Sequence, residues 1–567
     1  MPLFAGKRVL TPDGKDGDAN GAVIGKLLEV GALLAKGKLR HDYPHSWRSK
    51  APVIFRATPQ WFIAMDRSLP AQGGKTLREL ALAAIDATQF FPEQGRNRLR
   101  SMVEQRPDWV ISRQRAWGVP IAVFVRKSDG ALLQDDEVNA RIADAVEKGT
   151  TDVWFTADPQ AFLGTKYNAA DYERVNDIID VWFESGSTHA FVLEKRPDHG
   201  SPADLYLEGS DQHRGWFQSS LLESCATRGR APFKAIVTHG FILDEKGVDK
   251  MSKSKGNTMA PGDIAKQYGA EIMRLWIASS DYMNDIRFGP TILQAAVETY
   301  RKLRNTLRFT LANLKGFEES ERIAPDAMPA LDRYMLHRLA EMDGLVRRGY
   351  AEYDFNGVFQ ALFNFCTNDL SAFYYDIRKD ALYCDRRDST RRRAARTVLD
   401  RVFECLTAWL APILCFTAEE TWLTRFPAEK DSIHLRTFPE IPGTWSDAAL
   451  AARWERLRDL RRVVTGALEI ARKDKVIGSS LEAAPVLYVT DKDDAELLGA
   501  VDLAELAITS DAHVEIGEGP ANAFRLREVA GAAVAFARAG GHKCDRCWMV
   551  LPDVGANAEH PALCGRC

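Results

Sequence analysis

Lys250-Met251-Ser252-Lys253-Ser254-Lys255-Gly256-Asn257 sets three ammonium groups among small hydroxyl residues within eight positions. A lysine ammonium is a compact point charge on a long stem, so Lys250 and Lys253 can reach phosphate oxygens, and the hydroxyls of Ser252 and Ser254 with nearby amides can supply further donors. The same composition also suits a solvated surface, and the flanks must decide between the two. Upstream, Thr238-His239-Gly240-Phe241-Ile242-Leu243 is strand-like and Asp244-Glu245-Lys246-Gly247 reads as a turn. Downstream come Pro261-Gly262-Asp263 and an apolar-periodic run from Ile264 to Ser279, which predicts a helix. Strand, turn, lysine-rich loop and helix in that order describe an α/β unit with a loop suited to a polyphosphate.

About forty residues earlier stands Asp204-Leu205-Tyr206-Leu207-Glu208-Gly209-Ser210-Asp211-Gln212-His213-Arg214-Gly215-Trp216-Phe217. A carboxylate can hold an α-ammonium group, and amide and carboxylate oxygens can orient ribose and amino-acid polar groups. Read alone, the stretch is a strand-end turn into a helix from Trp216 to Cys225, with His213 capping or packing. That reading explains the turn but not its ordered pairing with the lysine-rich loop.

The order KMSKSKGN, Pro261-Gly262-Asp263, Gly269 resembles the second signature of class I aminoacyl-tRNA synthetases, and Tyr206 to Asn257 is similar to the isoleucyl-tRNA synthetase family. Trp109-Val110-Ile111-Ser112-Arg113-Gln114-Arg115-Ala116-Trp117-Gly118-Val119-Pro120-Ile121 is a further match, which the resemblance puts beside the catalytic cleft. Asp177 to Ser187 is another; its alternating apolar residues suit a strand, Glu184-Ser185-Gly186 suits a turn, and Glu184 stands where the family is known for aspartate. The resemblance implies that Glu208 lies at the aminoacyl-adenylate position, lined also by Gly209, Asp211 and Gln212, with His213 beside them. It implies that Ser252 and Lys253 bind nucleotide and that Lys250 and Lys253 serve catalysis. The activity implied is ATP-dependent activation of L-isoleucine and its ligation to isoleucine tRNA, with ATP as substrate and Mg²⁺ as its counterion. The alternatives are a valyl-tRNA synthetase-like activity and a non-catalytic tRNA-binding fragment, because the family's first signature, His-x-Gly-His-like, is not in the sequence.

Composition agrees with a folded, multidomain chain. Its 567 residues are 46% hydrophobic and 27% charged with a formal net charge of -3, so a nucleic-acid surface has to be a local basic patch. No apolar stretch approaches the roughly 20 residues that cross a membrane, and no signal peptide is recognisable, so a cytoplasmic protein without a membrane partner is expected, read as a monomer.

The expected fold class is multidomain α/β and all-α: a partial class I Rossmann-like catalytic domain, a helical anticodon-binding bundle and a small C-terminal zinc finger. Residues 1–40 resemble the tail of an editing domain, which makes the chain similar to a C-terminal portion of a longer enzyme. The Rossmann-like portion spans 41–325, with a connective insertion from Arg126 to Asn176 and a helical junction. Within it, Pro52-Val53-Ile54-Phe55-Arg56 and Trp61-Phe62-Ile63 favour short buried strands. Residues 326–475 spell amphipathic helices over Tyr334–Arg348, Phe355–Ile377, Ser389–Leu410 and Ala448–Arg472. Arginines 386, 387, 391, 392, 393 and 396, with Arg96, Arg98 and Arg100, are candidates to face tRNA phosphates. Residues 476–540 form a C-terminal junction.

Four of the nine cysteines fall in the last 24 residues, within the 541–567 module. Cys544 and Cys547, then Cys564 and Cys567, form two C-x₂-C pairs, and the segment between them is long enough to close a tetrahedral Cys₄ site for one Zn²⁺. Disulfides and unliganded thiols are the alternatives. Both Cys segments also resemble the terminal zinc finger of the same synthetase family. Cys225, Cys366, Cys384, Cys405 and Cys415 are spaced through apolar segments and read as reduced packing residues.

Overall fold

The computed structural model describes residues 2–46, 50–55, 57–115, 117–248, 251, 259–427 and 431–567. The chain divides into two compact units, one of Met1–Ala83, Met102–Lys195 and Ser219–Arg230, the other of Ala84–Ser101, Arg196–Gln218 and Ala231–Cys567.

The first unit is built on short antiparallel pairs. Phe62–Ile63 pairs with Trp109–Val110, Ser112–Arg113 with Ile178–Ile179, and Phe124–Arg126 with Tyr172–Arg174. Between the last two strands lies a small module whose core is Phe124, Val138, Ile142, Trp154, Phe162 and Leu163. Its helix Asp136–Lys148 starts on Asp135, whose carboxylate accepts the Glu137 and Val138 amides, and Val138 and Ile142 bury one face four residues apart. Lys166 at 2.6 Å and the Tyr167 hydroxyl at 2.9 Å hold the same carboxyl well below its ordinary range.

Two expectations are corrected in this unit. Val53, Ile54 and Phe55 are exposed, and only an isolated bridge joins His45 to Pro52; Pro44 and Pro52 lack the N–H groups that a continuing ladder would use. From Asp177 onward only Ile178–Ile179 is strand, after which Val181–Gly186 is helical, so Glu184-Ser185-Gly186 is not a turn. Asp180 causes the switch. Its carboxylate caps the Trp182 amide and binds Arg113 at 2.8 Å.

The second unit contains a parallel sheet in which Phe233–His239 lies between Gln89–Phe91 and Ala203–Gly209. Helix Trp216–Arg228, whose residues from Ser219 onward belong to the first unit, follows Ala203–Gly209 and precedes Phe233–His239 in the chain, the strand–helix–strand order of a Rossmann-like unit. Helices Pro290–Asn313, Ala330–Ala351, Thr390–Leu410 and Ala448–Lys473 belong to the following, largely helical segment. Thr390–Leu410 is the central one, with buried residues around its whole circumference from Ala394 onward, as a bundle's inner helix requires. Phe355–Asn364 and Tyr375–Cys384 are α-helical and Phe365–Tyr374 between them has π-helical register. A mixed sheet follows, with Val486–Val489 flanked by His513–Ile516 and Ala532–Ala535, and the chain ends on a short hairpin pairing His542–Lys543 with Val550–Leu551. Among the described residues no helix is long and apolar enough to cross a membrane.

Candidate functional site

The carboxyl ends of the two longest parallel strands coincide: Glu208 is in register with Thr238 and Gly209 with His239. In open parallel sheets this is where ligands bind, because loops and helix N-termini converge there. Glu208 is exposed and Gly209 buried. The next turn, Ser210–Arg214, carries Asp211, exposed, and Gln212, whose amide oxygen accepts the Trp216 N–H at 3.0 Å and so starts the following helix. Tyr206 stacks on Trp216 with ring centroids 4.1 Å apart, fixing where that helix leaves the strand. The sequence-predicted residues Glu208, Gly209, Asp211 and Gln212 therefore share one strand end.

His213 belongs to the same turn, but its side chain is buried rather than turned to the strand end's exposed face. It is 2% exposed, its Nδ1 bonds the Ser210 carbonyl at 2.8 Å, and its ring meets Phe217 edge-on. Nδ1 therefore carries the proton as donor, Nε2 has no partner among the described residues, and burial pulls the ring below the ordinary histidine value.

From the adjacent strand end the chain runs through Ile242–Leu243, which pairs in parallel with Ile286–Arg287, and the turn closed by Gly247 N–H to Asp244 at 2.9 Å. Met251 is tied back by its amide to the Ile242 carbonyl at 3.1 Å. Lys250, Ser252 and Lys253 lie outside the described residues.

In the first unit, sequence reasoning missed Glu223. Its side chain is 7% exposed and abuts Gly186, and Oε1 has no partner among the described residues. With no cation among the described residues to offset desolvation, burial pushes its carboxyl up to about 9. A lone carboxylate in Leu221-Leu222-Glu223-Ser224-Cys225 was the signal. His189 bonds the Gly186 carbonyl at 3.0 Å and is also buried.

At the C-terminus one sulfur from each of Cys544, Cys547, Cys564 and Cys567 lies within 4.8 Å of all the others. The Cys547 and Cys564 sulfurs are 3.8 Å apart. A tetrahedral divalent ion with metal–sulfur bonds of about 2.3 Å sets its sulfurs about 3.8 Å apart, so the donor set fits such an ion. The Cys564 amide points at the Cys544 sulfur at 3.4 Å. Burial acts on the thiols of Cys544, Cys547 and Cys567: amide hydrogen bonds outweigh it at Cys544, which falls to about 6, whereas Cys547 is pushed up to about 11 and Cys567 is raised further.

Residues 15–289 match the family described as tRNA synthetases class I (I, L, M and V), residues 332–488 the anticodon-binding domain of tRNA ligase, and residues 541–567 a zinc finger found in FPG and IleRS. The isoleucine–tRNA ligase of Ruegeria pomeroyi is 56% identical over 100% of this chain and 60% of its own length. Those of Caulobacter vibrioides and Mesorhizobium japonicum are 55% and 54% identical over 99% of this chain, covering 58% and 56% of their own lengths. The chain is isoleucyl-tRNA synthetase-like. It spans about 60% of the length of these curated relatives.

In this isoleucyl-tRNA synthetase-like chain most of the candidate phosphate-facing arginines are committed to its own fold. Arg391 binds Asp380, Asp385 and Glu505, Arg392 donates to the Asp385 carbonyl, Arg393 to the Ser320 and Glu321 carbonyls, and Arg396 pairs with Glu321 at 3.0 Å. Arg96 donates to the Asp86 and Thr88 carbonyls, and Arg100 pairs with Asp86 at 2.7 Å. Arg98, Arg386 and Arg387 stay exposed. Charge and clustering are visible in a sequence, but the partner that consumes each charge is not.

Proposed function

We propose that this chain carries out part or all of ATP-dependent isoleucine activation and transfer to isoleucine tRNA. The supporting observation is the registration of Glu208 and Gly209 with Thr238 and His239, because it brings the Ser210–Arg214 turn and the segment that leads on toward the lysine-rich stretch to one strand end. Glu208 holds the α-ammonium of isoleucine, and Asp211 and Gln212 orient the remaining polar groups of the adenylate. The isoleucine carboxylate attacks the α-phosphate in line; a carboxylate–phosphorus bond forms as the bond to pyrophosphate breaks. Lys250, Lys253 and Ser252 stabilise the charge that develops on the phosphates. Mg²⁺ accompanies ATP, bound chiefly by phosphate oxygens. The helical segment receives the tRNA anticodon, and Cys544, Cys547, Cys564 and Cys567 hold one structural Zn²⁺.

ATP–pyrophosphate exchange by this chain, with isoleucine and valine side by side, tests the reading. Exchange with isoleucine faster than with valine is expected; one methylene in an apolar pocket is worth about 1–3 kcal/mol. Binding of isoleucine tRNA without any exchange would assign the chain a binding role alone. Elemental analysis under reducing conditions should find one zinc per chain, and full occupancy after Cys564→Ser with Cys567→Ser would overturn the ligand set.

A further inference from the structure

We propose that metal occupancy of the Cys₄ cluster is transmitted to the helical segment through Arg566 and Asp380, so that helix Tyr375–Cys384 is locked in place only when the C-terminal hairpin is loaded. The inference rests on the zinc reading given above.

Arg566 stands between two of the four ligands, Cys564 and Cys567. Closing a metal site on both sulfurs fixes the Cys-Gly-Arg-Cys backbone, and with it the root of the arginine side chain. The guanidinium Nη1 and Nη2 bind both Asp380 carboxylate oxygens, at 2.5 and 2.7 Å, and Nη2 also approaches the Met549 sulfur at 3.9 Å. Arg566 is thus rooted between two ligand cysteines and presents a rigid fork matched to one carboxylate.

Asp380 passes the contact on. Arg391 also reaches it, at 2.9 Å, and bridges to Glu505 at 3.1 Å; Glu505 accepts Arg378 at 2.5 Å, and Arg378 is buried against Asp332 at 2.5 Å. One chain of charges thereby joins the hairpin, helix Tyr375–Cys384, helix Thr390–Leu410, helix Leu503–Ala507 and the start of Ala330–Ala351. At the far end of its helix, Cys384 packs in the same cluster as the ligand cysteines, 3.9 Å from the Arg546 carbonyl. A cavity of about 630 Å³, lined by Asp380, Tyr383, Arg391, Glu505, Trp548 and Arg566, occupies the junction. Tyr375, Ile377 and Leu382 pack one face of the helix into the main core, so the ion pairs govern the face that borders the cavity.

The full chain, zinc-loaded or stripped with a chelator under reducing conditions, is compared by amide hydrogen exchange alongside its zinc content. Stripping is expected to speed exchange at least tenfold in Tyr375–Cys384 and Leu503–Ala507, leaving the Ala203–Gly209 and Phe233–His239 strands unchanged. Asp380→Asn should reproduce the faster exchange with zinc still bound and measurably weaken zinc retention, because the arginine between two ligands loses its charged anchor. Arg566→Lys, which keeps the charge but loses the fork, should fall between the two. Unchanged exchange in a chain shown to have lost its zinc overturns the coupling and leaves the metal site standing, as does an Asp380→Asn chain with wild-type exchange and zinc retention. A reduced chain that takes up no zinc overturns the metal reading and the coupling with it.

Discussion

The imidazole of His213 fills the space that a side chain on Gly95 would need: a methyl group there would lie 2.8 Å from Nε2. Both residues are buried, and His213 is pinned by its bond to the Ser210 carbonyl, so the ring cannot swing aside. Gly95→Ala sets two effects against each other. Alanine within a helix gains about 1 kcal/mol over glycine, whereas overpacking a filled site costs about 1–3 kcal/mol. The clash should win, lowering the urea midpoint and shifting the Ser210–Arg214 turn that carries Asp211 and Gln212. Gly95→Ala with His213→Ala should recover most of the loss. An alanine variant as stable as the parent would show that the ring yields.

Glu223 gives stability a pH dependence of predictable sign. Its carboxyl rises from 4.5 to about 9 on folding, through burial. Between those values the folded chain keeps a proton that the unfolded chain has lost. The stabilisation is complete below pH 4.5 and is lost as pH rises toward 9, at about 1.4 kcal/mol per unit. Glu223→Gln cannot ionise and keeps the shape. It should match the parent near pH 5 and unfold at clearly higher urea near pH 9, with the gap widening steadily between. Parallel curves for the two proteins would mean that the carboxylate is solvated.

Much of this architecture was legible from residue order, and the failures have physical causes. Thr390–Leu410 and Ala448–Lys473 appear as long helices because their apolar periodicity is sustained and each begins on a capping residue, Ser389 and Asp447, that the sequence displays. Val486–Val489 was legible as a short run of β-branched, aromatic and aliphatic residues. The π register of Phe365–Tyr374 was not, since its side chains answer to distant partners: Asp369 binds Arg338 at 3.1 Å and Arg458 at 2.5 Å. Around Asp180 a strand pattern gave way to a helix because one carboxylate is shared between a cap and Arg113, 67 residues away. At the site, Glu208, Gly209, Asp211 and Gln212 were visible as a motif, but the burial of the His213 side chain follows from Gly95, more than a hundred residues earlier.

Asp332 and Arg378 form a fully buried ion pair, at 0% and 1% exposure, with Tyr374 donating to the same carboxylate at 2.6 Å. Removing one partner is far worse than removing both. Asp332→Ala leaves the buried Arg378 with Glu505 as its one remaining carboxylate among the described residues and the Tyr374 hydroxyl without its acceptor, and should cost about 3–5 kcal/mol, read as loss of the helical unfolding transition at moderate urea. Asp332→Leu with Arg378→Met exchanges the pair for apolar volume and should recover most of that. Equal damage from the double and single variants would mean that the pair itself specifies the bundle.

Glu208 and Lys253 are expected to act at opposite ends of the same substrate, and their variants should fail in different assays. Glu208 is exposed near a strand end, so Glu208→Gln should fold normally. It replaces a charged acceptor for the α-ammonium with a neutral one. A charge-assisted hydrogen bond is worth about 1.5–3 kcal/mol, so affinity for a non-hydrolysable isoleucyl-adenylate analogue should fall about 10- to 100-fold. Lys253→Ala should leave that affinity nearly unchanged, because the analogue lacks the β- and γ-phosphates that the ammonium serves. Its loss should appear instead in the rate of ATP–pyrophosphate exchange. Calorimetric titration of both variants beside exchange kinetics separates the roles. If Glu208→Gln binds the analogue as tightly as the parent, the carboxylate does not hold the ammonium. If Lys253→Ala exchanges pyrophosphate at the parental rate, the lysine-rich loop does not act on the leaving phosphates.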